Sequence, residues 1–297
     1  MVNEMNLIIG SHVSFNNKTQ LLGSVEEAIS YNANTFMFYT GPAQSTTRSE
    51  INDEITYEAY KLMVDNNINS NNVIVHAPYI VNLANRASEE KFNFYVDFFV
   101  DELNRVKSLG FNKIVLHPGS AVNCTREEGI KNIIDGLNIV LSKTEDTIIL
   151  LETMAGKGNE LGINLEEIKS ILDGVKEKDR VCVCLDTCHL NDSGIDISKF
   201  DEYLDLFDEY IGLDKIKCVH VNDSMNPISS HKDRHQNIGY GTIGFDSLNK
   251  VVHNERLSGI PFILETPWVN RNKPDEYPPY KMEIDNFRKE KFIDFIQ

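Results

Sequence analysis

The feature that most constrains the fold is a rhythm of eight short apolar segments, each with strand character and each followed by a helical pattern or a loop leading to one. The segments lie at Leu7 to Gly10 (ending near His12), Thr35 to Tyr39, Val73 to Val75, Lys113 to Leu116, Thr147 to Leu151, Val181 to Leu185, Ile216 to Val219 and Pro261 to Leu264. They are rich in Val and Ile without polar alternation, as expected of strands buried on both faces. Their ends recur roughly every 36 residues, close to the length of a βαβ unit. Eight such units over roughly 250 residues predict an α/β fold, a (β/α)8 TIM barrel; a doubly wound open sheet is the alternative. No Gly/Ser-rich or Pro-rich tract divides the 297 residues, so one domain over 1–297 is expected, with an irregular tail from about residue 268 and a closing helix.

Between the strands, helical periodicity is clearest from Ser88 to Leu109, where Phe92, Tyr95, Phe99, Leu103 and Val106 share one side and Gly110 marks the stop. No stretch approaches the ~20 apolar residues of a membrane span. Met1 to Gly10 lacks the basic and long apolar regions of a signal peptide, so a cytoplasmic location is expected. Five cysteines occur without a C-x-x-C spacing, and Cys182 and Cys184 read as reduced core residues on one strand face. The formal charge of −16 argues against a generic basic nucleic-acid-binding face. Bound cations would reverse the local sign, however, so net charge leaves the partner open.

The residues at the strand ends are the second constraint. His76, His117, Glu152, Asp186, His220 and Glu265 each take the first position after a buried strand. In a (β/α)8 barrel those positions share the C-terminal rim, where active sites lie. One such residue means little, but six of six are side chains that bind zinc and similar metals through nitrogen and oxygen. His189 comes three residues after Asp186, and Asp233 and His235 lie between strand seven and the next helix. Read as an extended segment, Asp233-Arg234-His235 puts the acid and the imidazole on one side. Nine donors (five His, two Asp, two Glu) are too many for one tetrahedral ion and suit two or three sharing a carboxylate. Clustered metals serve phosphoryl-transfer hydrolysis, and the absence of thiolates from the set suits catalytic zinc while leaving manganese or iron open.

The same residues carry a family resemblance. His76-Ala77-Pro78-Tyr79, Leu116-His117-Pro118-Gly119, Leu151-Glu152-Thr153-Met154-Ala155-Gly156, Asp186-Thr187-Cys188-His189, His220-Val221-Asn222-Asp223-Ser224, Lys232-Asp233-Arg234-His235 and Leu264-Glu265-Thr266-Pro267 resemble endonuclease IV, in order, over nearly the whole chain. The resemblance implies a xylose-isomerase-like TIM barrel, a hydrolase of the deoxyribonuclease IV (AP endonuclease) type acting in base excision repair. It implies three Zn2+ ions, with Mn2+ possible at one site: Glu152 bridging two, His76 and His117 completing the first. Asp186, His220 and Glu265 would complete the second, and His189, Asp233 and His235 would hold the third. Cleavage would fall 5′ to an abasic site in double-stranded DNA, by attack of a zinc-bridged hydroxide that Glu152 orients, leaving a 3′-hydroxyl and a 5′ deoxyribose phosphate. No membrane partner is implied, and the family's habit suggests a monomer.

Abasic DNA is cheap to distort because the lost base no longer stacks. By the resemblance, Tyr79 and Ile80 belong to a rim loop that enters the duplex. Gln44, in Gly41-Pro42-Ala43-Gln44-Ser45, is expected to probe the base stack, and Arg234 to contact phosphate. His12 is a candidate on the substrate side, and His231 departs from the arginine or small residue many members carry there. A sugar isomerase or epimerase would use Glu152, Asp186, His220 and Glu265 but leave His76, His117 and the Asp233/His235 pair without work. A damage-binding protein without catalysis should have lost ligands, and none is missing.

Overall fold

A computed structural model describes residues 7–296; the stretch Met1 to Gly10, read above for targeting signals, falls largely outside them. The barrel strands are β1 (Ile9–His12), β2 (Thr35–Phe38), β3 (Ile74–His76), β4 (Lys113–Leu116), β5 (Ile148–Glu152), β6 (Val181–Asp186), β7 (Ile216–His220) and β10 (Phe262–Leu264). All eight pair in parallel and close in the order β1-β10-β7-β6-β5-β4-β3-β2. The fold is therefore the (β/α)8 barrel, not the open sheet. Around it run α1 (Gln20–Ser30), α2 (Asp53–Asp65), α3 (Glu89–Ser108), α4 (Arg126–Ser142), α5 (Leu165–Gly174), α7 (Phe200–Tyr210), α8 (Phe245–Val252) and α9 (Tyr280–Arg288).

Local chemistry explains where the helices begin and end. Asn52, Ser88, Thr125 and Asn164 cap α2 to α5 by accepting a backbone N–H with their side chains, and Thr125 forms a reciprocal capping box with Glu128. Gly110, at φ +83°, ends α3 in the left-handed conformation that favours glycine. The apolar stripe of α3 is buried as its periodicity predicts: Phe92, Tyr95, Phe99, Leu103 and Val106 all lie in the core. One glycine is required by close approach instead. A Cβ on Gly10 would sit 1.8 Å from the Thr35 carbonyl oxygen, so β1 could not pair with β2 at this register with any larger residue.

Strand parity then fixes the site. Met37, Ile74, Val115, Leu150, Cys184, Cys218 and Ile263 belong to a compact apolar cluster separate from the one beneath the helices, the filled interior of the barrel. Side chains two residues apart on a strand share a face. Tyr39, His76, His117, Glu152, Asp186, His220 and Glu265 each lie two residues beyond one of these core side chains. They form the next layer up, at the C-terminal mouth. His76, Glu152, Asp186 and His220 are the last residues of their strands rather than the first beyond them; pairing carries on until the side chains meet, so the polar layer belongs to the sheet.

Two elements were not expected. Asp186 ends β6 and also caps a short helix, α6 (Thr187–Ser193), by accepting the His189 N–H at 2.8 Å. A small antiparallel ribbon, β8 (Asp223–Ser224) with β9 (His235–Gln236), leads the chain back over the rim.

Candidate metal centre

Glu152 lies at the centre of the rim with almost no exposure, and both its oxygens face imidazoles. Oε2 is 3.2 Å from His76 Nε2 and 3.0 Å from His117 Nε2; Oε1 is 3.1 Å from His220 Nδ1 and 3.3 Å from His189 Nδ1. Asp186 and His220 are directly opposed in the β6–β7 register. His220 Nδ1 is also 3.0 Å from Glu265 Oε2 and 3.8 Å from Asp186 Oδ2. Across the mouth, Asp233 Oδ1 is 3.1 Å from His189 Nε2 and 3.5 Å from His235 Nε2.

The nine donors fall into three compact sets: His76, His117 and Glu152; Glu152, Asp186, His220 and Glu265; and His189, Asp233 and His235, with the donor atoms of each set within 4.8 Å of one another. Three observations make them fit for cations. First, nitrogen and oxygen donors arranged tetrahedrally at ~2.0–2.1 Å from zinc are separated by about 3.3 Å, and the contacts above run from 3.0 to 3.8 Å. Second, His76, His189 and His235 each donate Nδ1–H to a backbone carbonyl (Ala77, Thr153 and Glu265), which fixes the ring and turns Nε2 into the rim, toward Glu152 at His76 and toward Asp233 at His189. His235 Nε2 is buried without a hydrogen-bond partner. Third, four carboxylates converge on one rim with no Lys or Arg among the nine donors, a concentration of acid that calls for positive counterparts.

The titration tendencies express that demand. Burial opposes charge throughout, yet Glu152 is held well below the usual carboxylate range by His220 and His117. Burial is likewise overcome at Glu265 and Asp233, which the neighbouring His220 and His189 respectively depress. In return His117, His189 and His220 are raised against burial, chiefly by Glu152, by Asp186, and by Cys184 and Glu265 respectively. At Asp186 burial prevails and raises the carboxyl. Protons shared between these acids and imidazoles lie where a bound cation would displace them.

One expectation is corrected in its reasoning. Asp233-Arg234-His235 is not extended, because Asp233 has φ +55°. The pair converges through a left-handed residue and not through strand parity, since the loop must turn before joining β9.

The expected DNA-contact residues surround the mouth. Tyr79 is 51% exposed, its ring 5.2 Å from that of His117 and 5.6 Å from that of Tyr39. Ile80 is only partly exposed and packs on the core, so Tyr79 is the outward member of the pair. Gln44 and Arg234 are exposed. The Gln44 loop is tied to the Tyr79 loop by a hydrogen bond from Tyr79 N to Ala43 O at 2.9 Å. Arg48 gathers that loop, donating to the Ser45 and Thr47 carbonyls while paired at 2.6 Å with the buried Glu102 of α3. His231 is exposed and donates to Ala155 O.

Sequence reasoning missed Tyr39, whose hydroxyl is buried without a partner, and whose ring lies 5.2 Å from His12 and 4.9 Å from His76. Its place two residues beyond Met37 was the available signal. His12 ends β1 beside it, and burial lowers its tendency to protonate. The five cysteines are free thiols, four of them buried.

Barrel and rim together define the class, a metal-ready xylose-isomerase-like barrel. Comparison narrows it. A family described as "xylose isomerase-like TIM barrel", AP endonuclease 2, matches residues 25–289. The "probable endonuclease 4" of Enterococcus faecalis is 50% identical over 287 residues, covering 96% of each chain. That of Acholeplasma laidlawii is 51% identical over 281 residues, covering 94% of each. Among solved structures, endonuclease IV from Thermus thermophilus superposes with a TM-score of 0.78 at 28% identity, covering 95% of this chain and 97% of that one. A D-tagatose 3-epimerase-like protein, at 21% identity and TM-score 0.66, shares the fold, covering 95% of this chain and 96% of its own. The chain belongs to the endonuclease IV family.

Proposed function

We propose that this chain is a DNA-repair endonuclease that hydrolyses the phosphodiester 5′ to an abasic site in double-stranded DNA, leaving a 3′-hydroxyl and a 5′ deoxyribose phosphate. As a family member it is a hydrolase of the deoxyribonuclease type. The observation that carries the finer reading is the set of three adjacent donor clusters, two of them sharing Glu152. They would hold three Zn2+ ions, or two with Mn2+ at the remaining site, in the sets given above. Bound there, such ions supply a nucleophile at neutral pH and charge stabilisation for the departing oxygen.

The chain's own residues do the rest. Glu152, buried at the base of the mouth, orients the attacking water between His117 and His220. Asp233, 27% exposed, and His117, 23% exposed, border the open side where a phosphate enters, while Asp186 and His220 form the closed floor. Tyr79 and Gln44, on loops that are bonded to one another, press on the duplex at the gap left by the missing base, and Arg234 meets the backbone phosphate. Ile80, packed on the core, anchors the loop that carries Tyr79.

We further propose that the chain works as one domain and as a monomer, in the cytoplasm, where its thiols stay reduced. No helix among the described residues is long and apolar enough to cross a membrane. The reading is tested with a duplex carrying one tetrahydrofuran abasic analogue. Metal-replete protein should incise it on the 5′ side, whereas an intact duplex together with sugar isomerisation would defeat the proposal.

A further inference from the structure

The loop that brings Asp233 opposite His189 is hydrogen-bonded to a residue outside the donor sets. Asp192, in the last turn of α6, is fully buried, and hydrogen-bond donors converge on its carboxylate. Oδ1 accepts from Ser224 Oγ at 2.7 Å and Asn191 Nδ2 at 3.0 Å. Oδ2 accepts from Asn226 Nδ2 at 3.3 Å and from the backbone N–H of Asp233 at 3.0 Å. The loop it grips is unusual. Ser229, His231 and Asp233 all have left-handed backbones, with φ of +63°, +54° and +55°. Each donates its N–H to the end of α6: Ser229 to Asn191 O, His231 to Asp192 O, both at 3.0 Å, and Asp233 to the Asp192 side chain.

A non-glycine residue held in the left-handed region is strained, and the hydrogen bond from Asp233 N–H to the Asp192 carboxylate offsets that strain. Loss of that carboxylate would remove the partner that faces the Asp233 N–H in this conformation. Relaxation would swing the Asp233 side chain away from His189 Nε2. His189 rides on the same short helix as Asp192. One turn of helix therefore sets both the imidazole and, through Asp192, the acid opposite it.

We propose that Asp192 is a positioning residue for the third donor set, His189, Asp233 and His235, and that it governs retention of one cation without governing the others. The inference rests on the metal-dependent reading above. It is tested by measuring metal per chain in the full-length protein after dialysis against rising chelator, for wild type, Asp192→Ala and Asp192→Asn, with a melting curve for each. Asparagine keeps the size but turns one acceptor oxygen into a donor. Wild type should retain about three ions, one for each donor set. Each variant should release one ion at a chelator concentration about 10–100-fold lower and keep the other two as wild type does. If Asp192→Ala does not fold, Asp192→Asn carries the comparison. Retention of all ions at wild-type chelator concentrations would overturn the proposal. So would parallel loss of every ion with a lowered melting point, the signature of a merely structural role. A wild type that takes up no ions at all would instead remove the metal-dependent function itself, and this inference with it.

Discussion

The two halves of the rim are built by different means. His76, His117, Glu152, Asp186, His220 and Glu265 stand on or just beyond barrel strands, each above an apolar side chain two residues back. His189, Asp233 and His235 stand on a seven-residue helix, a left-handed loop residue and a two-residue strand. The first half inherits its geometry from parallel pairing and core packing, so distortion of it requires distortion of the sheet. The second half is tied together by hydrogen bonds to Asp192 and by the Asp186 cap of α6, interactions of loops and a short helix rather than of the sheet. A rigid half and an adjustable half thus share one mouth, and the adjustable half is the more exposed.

The contrast can be broken most sharply at the residue that joins both sets of the rigid half. Glu152→Gln should lower turnover on abasic DNA by on the order of a thousandfold, as loss of a central electrostatic group does, while DNA binding measured by gel shift persists. Near-wild-type turnover would remove Glu152 from the centre of the mechanism. Next in size is the layer below. Leu150→Ala should cost about 2–5 kcal/mol of stability through the cavity it opens, read as a lowered denaturation midpoint. Protein that stays folded should retain its metal, because the upper layer is held by strand pairing. Metal loss without a stability loss would contradict that.

Acidity offers a third test on metal-stripped protein. Glu152, Glu265 and Asp233 have depressed folded-state tendencies, so their stabilising contribution is present above the unfolded range near ~4 and fades as pH falls through the lower folded values. His117, His189 and His220 are raised, so their contribution is full below ~6.5 and fades as pH rises through the folded values. Asp186, raised by burial, runs opposite to the other acids: its contribution is full below its unfolded range near ~4 and declines as pH rises toward its higher folded value, which tilts the maximum toward the acid end. Stripped protein should therefore melt highest between about pH 4 and 6.5 and lose stability toward pH 8. Metal-loaded protein should gain stability over that same interval, since ligands bind metal deprotonated. Parallel profiles for the two forms would count against a cation in the rim. Smallest is the outer shell: Tyr79→Ala should weaken binding to abasic duplex by about 1 kcal/mol or more, and Gln44→Ala by less, with no change in metal content.

The same contrast explains what could be read before any coordinates. Strand segments, their order and the six rim donors emerge from apolar runs and from where those runs stop, because parity over a few residues is written locally. Tyr39 obeys the same rule and was overlooked only because it cannot ligate like histidine. The adjustable half is encoded at longer range. Asp192 acts on residues about 30 to 40 positions away. Asp223 likewise holds the loop after β9 by accepting the N–H groups of Gly239, Gly241 and Ile243. Nothing in the spacing of such residues distinguishes a buried organiser from a solvated acid. The Asp233/His235 pair was inferred from extended geometry that the backbone does not have, although the two side chains do meet.

The place of Asp186 carries one more consequence. It closes the β6 strand, caps α6 through Oδ1, and receives Asn222 Nδ2 on Oδ2 at 2.7 Å. A substitution there removes a donor, loosens the helix that bears His189 and frees an amide on the neighbouring strand end in a single stroke. The phenotype of any change at this position is therefore compound, and a barrel trading one rim chemistry for another would have to rebuild a strand end, a helix start and a donor set together.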